Sequence, residues 1–271
     1  MISIVIPVSN LEEYTNECID NLFTYSHETP EIIVVDNAST EPYKRDGVKT
    51  IRNDVNKGFW PSLLAGMSAA KNDVVLCMHN DVFIWEAGFD QRLETHFDQD
   101  DKLAITGFFG ARGLAVNGAR MFPESNMVAQ KYGTHGNLHG NLLLRSHPSV
   151  IFDSLSMCFR KSHLAQIDYI NIPPHHWTDR IVTLRLLVAG YHARTVGIAF
   201  DHGGGFTSST PAMGNFTERW CREHNLEQLP GETWDNVLYR VGNAIFAQEF
   251  LAFTKGKNEL WVQSDYSLQT R

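Results

Sequence analysis

The chain opens with short β-branched apolar runs that alternate with apolar residues at helical spacing. Ile2 to Val8 is a continuous apolar run, which predicts a buried strand. Asn10, with Glu13 three residues on, reads as a helix cap, and Leu11, Tyr14, Cys18, Ile19, Leu22 and Phe23 then recur on one helical face. Glu31 to Asp36 is a second buried strand, and Asn37-Ala38-Ser39-Thr40 turns away from it. A strand, helix, strand order of this length implies a crossover and therefore parallel strands. The theme returns with a weaker strand at Val48 to Arg52, a helix with Pro61 in its first turn carrying Leu63, Leu64, Met67 and Ala70, and a strong strand at Asp73 to Met78.

Alternation of this kind predicts an α/β fold with an open, mostly parallel sheet covered by helices on both faces. Ligands in such folds sit beyond the carboxyl ends of the strands. Those ends carry Pro7-Val8-Ser9, Asp36-Asn37 and His79-Asn80-Asp81, where polar residues follow each apolar run. From Gly107 to His147 the chain is rich in Gly, Asn and His with little periodicity, which predicts irregular structure bordering a cleft. Patterning resumes with a strand near Ile151 to Phe159, a helix from about Thr178 to Ala189 and a strand from Ala193 to Phe200. The glycines after Asp201-His202 and the run Thr207-Ser208-Ser209-Thr210 read as a mobile loop, extending to Gly214, that orders over a bound donor. An amphipathic helix through Trp234, Val237, Leu238, Val241 and Ile245 follows, and no internal repeat is visible.

Composition narrows the partners. The chain has 271 residues, 43% hydrophobic, enough for one α/β domain with an appendage. Its formal charge of -8, from 23 basic and 31 acidic side chains, provides no general attraction for nucleic acid or anionic lipid. A phosphorylated ligand therefore needs a local device such as a metal or a helix N-terminus. The four cysteines are dispersed and form no CxxC pair, so a cytoplasmic protein is expected. No stretch approaches the ~20 apolar residues of a membrane span, and peripheral association with a membrane stays open.

Asp81, directly after a buried strand, suits a hard cation that neutralises a diphosphate, and equally a turn or cap for the next segment. Asp36 suits a base or ribose contact, and equally an Asx-turn. His135 and His139 are four apart among glycines, so a shared helical metal face is not implied. His175-His176 lies where it could line an acceptor site, although solvated loop histidines explain it as well.

Six segments together resemble glycosyltransferase family 2, the inverting family with the GT-A fold. Ile2 to Val8 is similar to its opening strand, Val34-Val35-Asp36-Asn37-Ala38-Ser39-Thr40 to its nucleotide-binding turn, and Asn56-Lys57-Gly58-Phe59 to the segment before its next helix. Val74 to Asp81 stands in the place of its DxD metal motif, Thr178-Asp179-Arg180 through Tyr191 in that of its acidic motif and helix, and Asp201-His202-Gly203-Gly204 in that of its late histidine. Order and spacing agree from Ile2 to Gly205. The resemblance implies a catalytic domain over 1–205, with about 1–100 the nucleotide-binding half and about 101–205 the acceptor half, and a loop and helical extension over 206–271.

The resemblance also implies roles. Pro7, Val8, Ser9, Asp36, Asn37, Asn56, Gly58 and Asn80 would bind the nucleotide, Asp81 and His202 a divalent cation (Mn²⁺ or Mg²⁺), and Asp179 would be the catalytic base. Asp179 also reads as an acid favourable to the dipole of its own helix. The donor would be a nucleoside-diphosphate sugar, linked to uridine or deoxythymidine diphosphate, and the acceptor a glycan or other hydroxyl. The pattern departs from the family at His79, which replaces the first acid of DxD, at Thr178, where Glu is common, and at Ile181, where a second Asp is common. A sugar nucleotidyltransferase is the alternative enzyme, but Ser9-Asn10-Leu11-Glu12-Glu13 is not its glycine-rich basic loop. A donor-binding domain without turnover is the third reading.

Overall fold

The computed structural model describes residues 1–128, 143, 145–203, 211–254 and 261–263. Its first third follows the predicted alternation: β1 (Ser3–Val8), α1 (Glu12–Tyr25), β2 (Glu31–Asn37), β3 (Lys49–Asn53), α2 (Phe59–Ala69) and β4 (Val74–Met78). Then come β5 (Val82–Ile84), α3 (Phe89–Gln99), β6 (Leu103–Gly107), β7 (Phe109–Ala115), β8 (Arg120–Met127), β9 (His147–Pro148), β10 (Ile151–Phe152), β11 (Ser156–Arg160) and α4 (Lys161–Leu164). The remainder is α5 (Thr178–Val188), β12 (His192–Thr195), β13 (Ala199–His202), α6 (Pro211–Glu223), α7 (Trp234–Thr254) and β14 (Trp261–Gln263).

The larger sheet runs β3-β2-β1-β4-β11-β6-β12-β9. Strands β3, β2, β1 and β4 pair in parallel, with Val8 opposite Asp36, and β11 enters antiparallel between β4 and β6. Its centre is apolar on both faces because successive side chains alternate sides. Val5, Ile33 and Val35 join Trp60, Leu63 and Met67 of α2 in one core, while Ile4, Ile6, Ile32 and Val34 join Cys18, Ile19 and Leu22 of α1 in the other. Gly66 lets α2 approach closely, since a Cβ there would overlap Val5 Cγ1. A second sheet, β10-β7-β8-β13-β5 with β14 against β7, lies over the region that borders the strand ends.

Three sequence expectations are corrected. Asn10 does not cap α1: Leu11 takes the cap position with φ 59° and no side-chain cap bond, and Asn10 Oδ1 instead accepts from the Thr40 amide at 2.9 Å. Gly107 to His147 is not irregular throughout, because β7 and β8 form an antiparallel pair from Phe109–Ser125 to Leu114–Arg120. Their glycines and polar residues hide the period that usually marks a strand. The stretch from Ala193 to Phe200 is two strands in two sheets, with the chain crossing between them at Val196 to Ile198. The crossing segment Val196-Gly197-Ile198 is itself apolar and buried, so hydrophobicity alone could not show the break. His135, His139 and residues 204–210 lie outside the described residues, and the loop expected as far as Gly214 is instead helical from Pro211, the start of α6.

Candidate active site

The polar ends of β4 and β13 are drawn together by the second sheet. β13 pairs antiparallel with β5, His202 opposite Val82, and the Gly203 amide donates to the Asp81 carbonyl at 2.8 Å. The pairing sets His202 beside the turn His79-Asn80-Asp81, although the two are far apart in sequence. His202 Nε2 lies 3.3 Å and His79 Nδ1 3.9 Å from Asp81 Oδ1. These three residues are the group, among those described, whose donor atoms all fall within 4.8 Å of one another. His202 is 7% exposed, and while its Nε2 faces Asp81, its Nδ1 has no hydrogen-bond partner. An unsatisfied buried polar atom is costly unless something else engages it.

Burial and mutual proximity polarise the two imidazoles. Burial pushes the His79 pKa down and outweighs the opposing pull of Asp81. Burial acts the same way on His202, but the adjacent Asp81, helped by Asp153 and Asp201, outweighs it and leaves His202 above its ordinary value. The two imidazoles thus differ in how readily they take up a proton, His202 more so than His79.

His79 also faces a cavity of about 290 Å³ lined by Phe59, Arg120, Asp153, His175, Asp179 and Tyr239, among others. Asp179 begins α5 and is 5% exposed. Its carboxylate accepts from the Arg180 amide at 2.9 Å, from Arg180 Nη1 at 3.0 and 3.2 Å, and from Arg120 Nη2 at 3.1 Å. Arg120 Nη2 also lies 2.9 Å from Asp153, so one guanidinium bridges two carboxylates. Burial pushes the Asp153 pKa up, but Arg120, the Leu155 amide and the two histidines prevail and hold it below its usual value. The residues before α5 are strained, with His176 at φ 53° and Trp177 at φ 57°. They are held from outside: Trp177 stacks on Phe246 of α7 at 4.8 Å, and His176 Nε2 meets Asp235 Oδ1 at 2.9 Å.

Asp153 and Arg120 escaped sequence reading. Asp153 lies inside what reads as one strand from Ile151 to Phe159, and the break it makes between β10 and β11 is invisible without the partner strands. The signal was present in Asp153-Ser154, two polar residues in an apolar run.

The nucleotide residues inferred from resemblance fall into three groups. Pro7 and Val8 end β1 beside β2, with Ser9 following. Asp36 is fully buried and turned inward, accepting from the Ser39 amide at 2.8 Å, the Tyr43 amide at 3.0 Å and Arg52. The Asx-turn is thus present, and the carboxylate is already engaged by its own chain. Asn37, Asn56 and Gly58 form a connected set: Asn37 Nδ2 donates to Asn56 Oδ1 at 2.7 Å, which also accepts from the Gly58 amide at 2.9 Å. Gly58 has φ 87°, and a Cβ there would lie 2.9 Å from Pro174 Cβ. Asn80 points elsewhere, donating to the Thr15 hydroxyl at 3.0 Å.

The strand-end crevice, the histidine and aspartate cluster and the acidic start of α5 have the order of the family resemblance, and the sequence comparison decides it. The model of the family described as Glycosyl transferase family 2 matches residues 3–163, more than half of the chain. The chain belongs to glycosyltransferase family 2. No curated protein matches its sequence. Among solved structures it is similar to residues 1–349 of TarS from S. aureus, at 14% identity and TM-score 0.54, covering 94% of this chain and 72% of that one. It is also similar to the mannosyltransferase PcManGT from Pyrobaculum calidifontis in complex with GDP-Man and Mn²⁺, at 13% identity and TM-score 0.51, covering 95% and 76%. These likenesses establish the GT-A fold, and family membership makes the chain a glycosyltransferase enzyme, which decides against the nucleotidyltransferase alternative. No helix among the described residues is long and apolar enough to cross a membrane.

Proposed function

We propose that this family 2 enzyme transfers a sugar with inversion from a nucleoside-diphosphate donor, linked to uridine or deoxythymidine diphosphate, to a hydroxyl of a glycan or similar acceptor. The observation that carries the reading is the shared wall of the cavity: His79, of the histidine and aspartate cluster, and Asp179 both line it. A donor diphosphate placed at the cluster therefore sets its anomeric carbon towards the carboxylates, as an in-line displacement needs.

Asp81 and His202 would hold the divalent cation, and the donor set fits one, since a buried carboxylate and a buried imidazole nitrogen converge there 3.3 Å apart. When bound, that cation supplies charge neutralisation to the departing diphosphate. Asp179 accepts the proton of the acceptor hydroxyl, and Arg120 and Arg180 fix the orientation of its carboxylate. Pro7, Val8, Ser9, Asn37, Asn56 and Gly58 border the nucleotide at the ends of β1 and β2. Asp36 shapes that border through its turn, and Asn80 anchors α1 behind it.

Isothermal titration of uridine and deoxythymidine diphosphates, with Mn²⁺ or with chelator, tests the reading. Affinity should require the cation and fall at least about tenfold in Asp81→Ala. Equal binding by Asp81→Ala, with an unchanged response to chelator, would remove the cation from the donor site.

A further inference from the structure

We propose that His79, Asp81 and His202 together form a site of two imidazoles and one carboxylate, selective for nitrogen-accepting transition metals such as Co²⁺ and Zn²⁺ over Mg²⁺. This rests on reading the cluster as a cation site. It goes further in giving His79 a ligand role and in naming the class of metal.

The donor spacing supports three ligands on one ion. Two atoms each ~2.1 Å from a metal lie about 3.0 Å apart at a right angle and about 3.4 Å apart at a tetrahedral angle. The 3.3 Å between His202 Nε2 and Asp81 Oδ1 fits this as it stands. The 3.9 Å between His79 Nδ1 and Asp81 Oδ1 needs the ring to close by roughly 0.5 Å. His79 is held on one side by the edge of Phe59, ring centroids 5.3 Å apart, and faces His202 on the other at 5.8 Å. His202 Nε2, in a side chain 9% exposed, faces the buried Asp81 carboxylate at an ion-pair distance, an arrangement that a shared cation between the two would complete.

Ligand chemistry then sets the preference. Mg²⁺ favours six oxygens in a near-ideal octahedron and sheds water reluctantly, whereas imidazole suits later first-row metals. This cluster offers one carboxylate and two rings. For such a set, affinity should rise from Mg²⁺ through Mn²⁺ to Co²⁺ and Zn²⁺. Replacing His79 by aspartate exchanges a borderline nitrogen donor for a hard oxygen donor without altering the strand-end position, so it should shift the preference back towards Mg²⁺ and Mn²⁺.

The test uses the full chain, stripped with chelator and free of donor and acceptor. Co²⁺ is titrated by visible absorption, and Mg²⁺, Mn²⁺ and Zn²⁺ by competition against it. One equivalent of Co²⁺ should give ligand-field bands that vanish in Asp81→Ala and in His202→Ala. Zn²⁺ should compete at least about a hundredfold better than Mg²⁺, and His79→Asp should narrow that ratio about tenfold or more. The ratio in the native chain needs no variant, so a variant that misfolds by circular dichroism leaves it measurable. Equal competition by Mg²⁺ and Zn²⁺, absence of a stoichiometric band, or bands that survive loss of Asp81 and His202 would overturn the proposal. A chain that shows the metal preference but transfers no sugar would count against the transferase mechanism alone. A chain that transfers sugar with an unchanged metal ratio in His79→Asp would count against the metal inference alone.

Discussion

Asp179→Asn separates a catalytic carboxylate from one that only steadies the start of a helix, and the structure sets both magnitudes. In the native chain one oxygen of Asp179 accepts from the Arg180 amide and Arg180 Nη1, and the other from Arg120 Nη2 and again Arg180 Nη1. Asparagine keeps one carbonyl oxygen, so the Arg180 contacts can persist, but it turns an amide group towards a guanidinium. A lost hydrogen bond to a charged group costs roughly 1.5 to 3 kcal/mol. Arg120 retains Asp153 at 2.9 Å, which places the loss near the lower end. The melting temperature should then fall by only a few degrees, about 2 to 4 °C per kcal/mol in a domain approaching this size. The loss exceeds the roughly 1 kcal/mol at most that removal of a bare helix-start acid would cost, because two arginines depend on this residue.

The rate should fall much further. Removal of a general base typically costs 10²-fold to 10⁴-fold, roughly 3 to 5 kcal/mol of barrier. The assay is single-turnover transfer, well below the lowered melting point, from the nucleotide sugar that gives the largest thermal shift with Mn²⁺. Donor affinity, measured separately, should change less than about tenfold. Asp153→Asn is the matched arm, since Asp153 shares Arg120 and lines the same cavity. Transfer by Asp179→Asn within about tenfold of the native rate would refute the assignment. A collapse in Asp153→Asn instead would move the base to Asp153.

Asp36→Asn should lose about 1.5 to 3 kcal/mol in urea unfolding, because Arg52 loses its buried partner but is itself partly exposed to water; a loss under about 0.5 kcal/mol would mean the turn holds without the charge. Burial raises the Asp36 pKa, but Ser39, the Tyr43 amide and Arg52 outweigh it, so the folded value is depressed. Its stabilisation is therefore full above the unfolded carboxylate range and disappears as pH falls through the folded value, a component Asp36→Asn should lack. Burial, with His176 beside it, pushes His175 down to about 4, so the unfolded chain takes up this proton first as pH drops from 6.5 towards 4. Stability should fall across that window by up to about 3 kcal/mol, and His175→Gln should flatten the fall; parallel profiles would remove His175 as its source. Gly66→Ala should destabilise by roughly 1 to 3 kcal/mol through overlap with Val5, with α2 lifted from the sheet, and an unchanged urea midpoint would show that the helix shifts freely.

The nucleotide half was legible because its physics is local. A strand buried on both faces must be apolar throughout, as Ile2 to Val8 and Glu31 to Asp36 nearly are, and a covering helix must repeat its apolar residues near every fourth position. The cavity wall was less legible because it depends on pairing. Nothing within Arg120 to Met127 shows that β8 will lie between β7 and β13, and nothing near Asp153 shows that Arg120 will reach it. The cap expected at Asn10 failed for a related reason: the side chain prefers the Thr40 amide, a partner 30 residues away, over its own helix.

The histidine and aspartate cluster shows what family resemblance can and cannot convey. Resemblance brought Asp81 and His202 together on paper and set His79 in the place of an acid, where a neutral ring can still support a metal with water completing the shell. The sheet supplies a different account, because β4, β5 and β13 hold all three side chains at one point regardless of which donor each carries. The position is fixed by strand pairing, while the donor atom is free to vary with the side chain. A His for Asp exchange at position 79 therefore leaves the fold intact and changes the chemistry of the cation the site prefers, so the departure from DxD is better read as a change of ligand than as a loss of function.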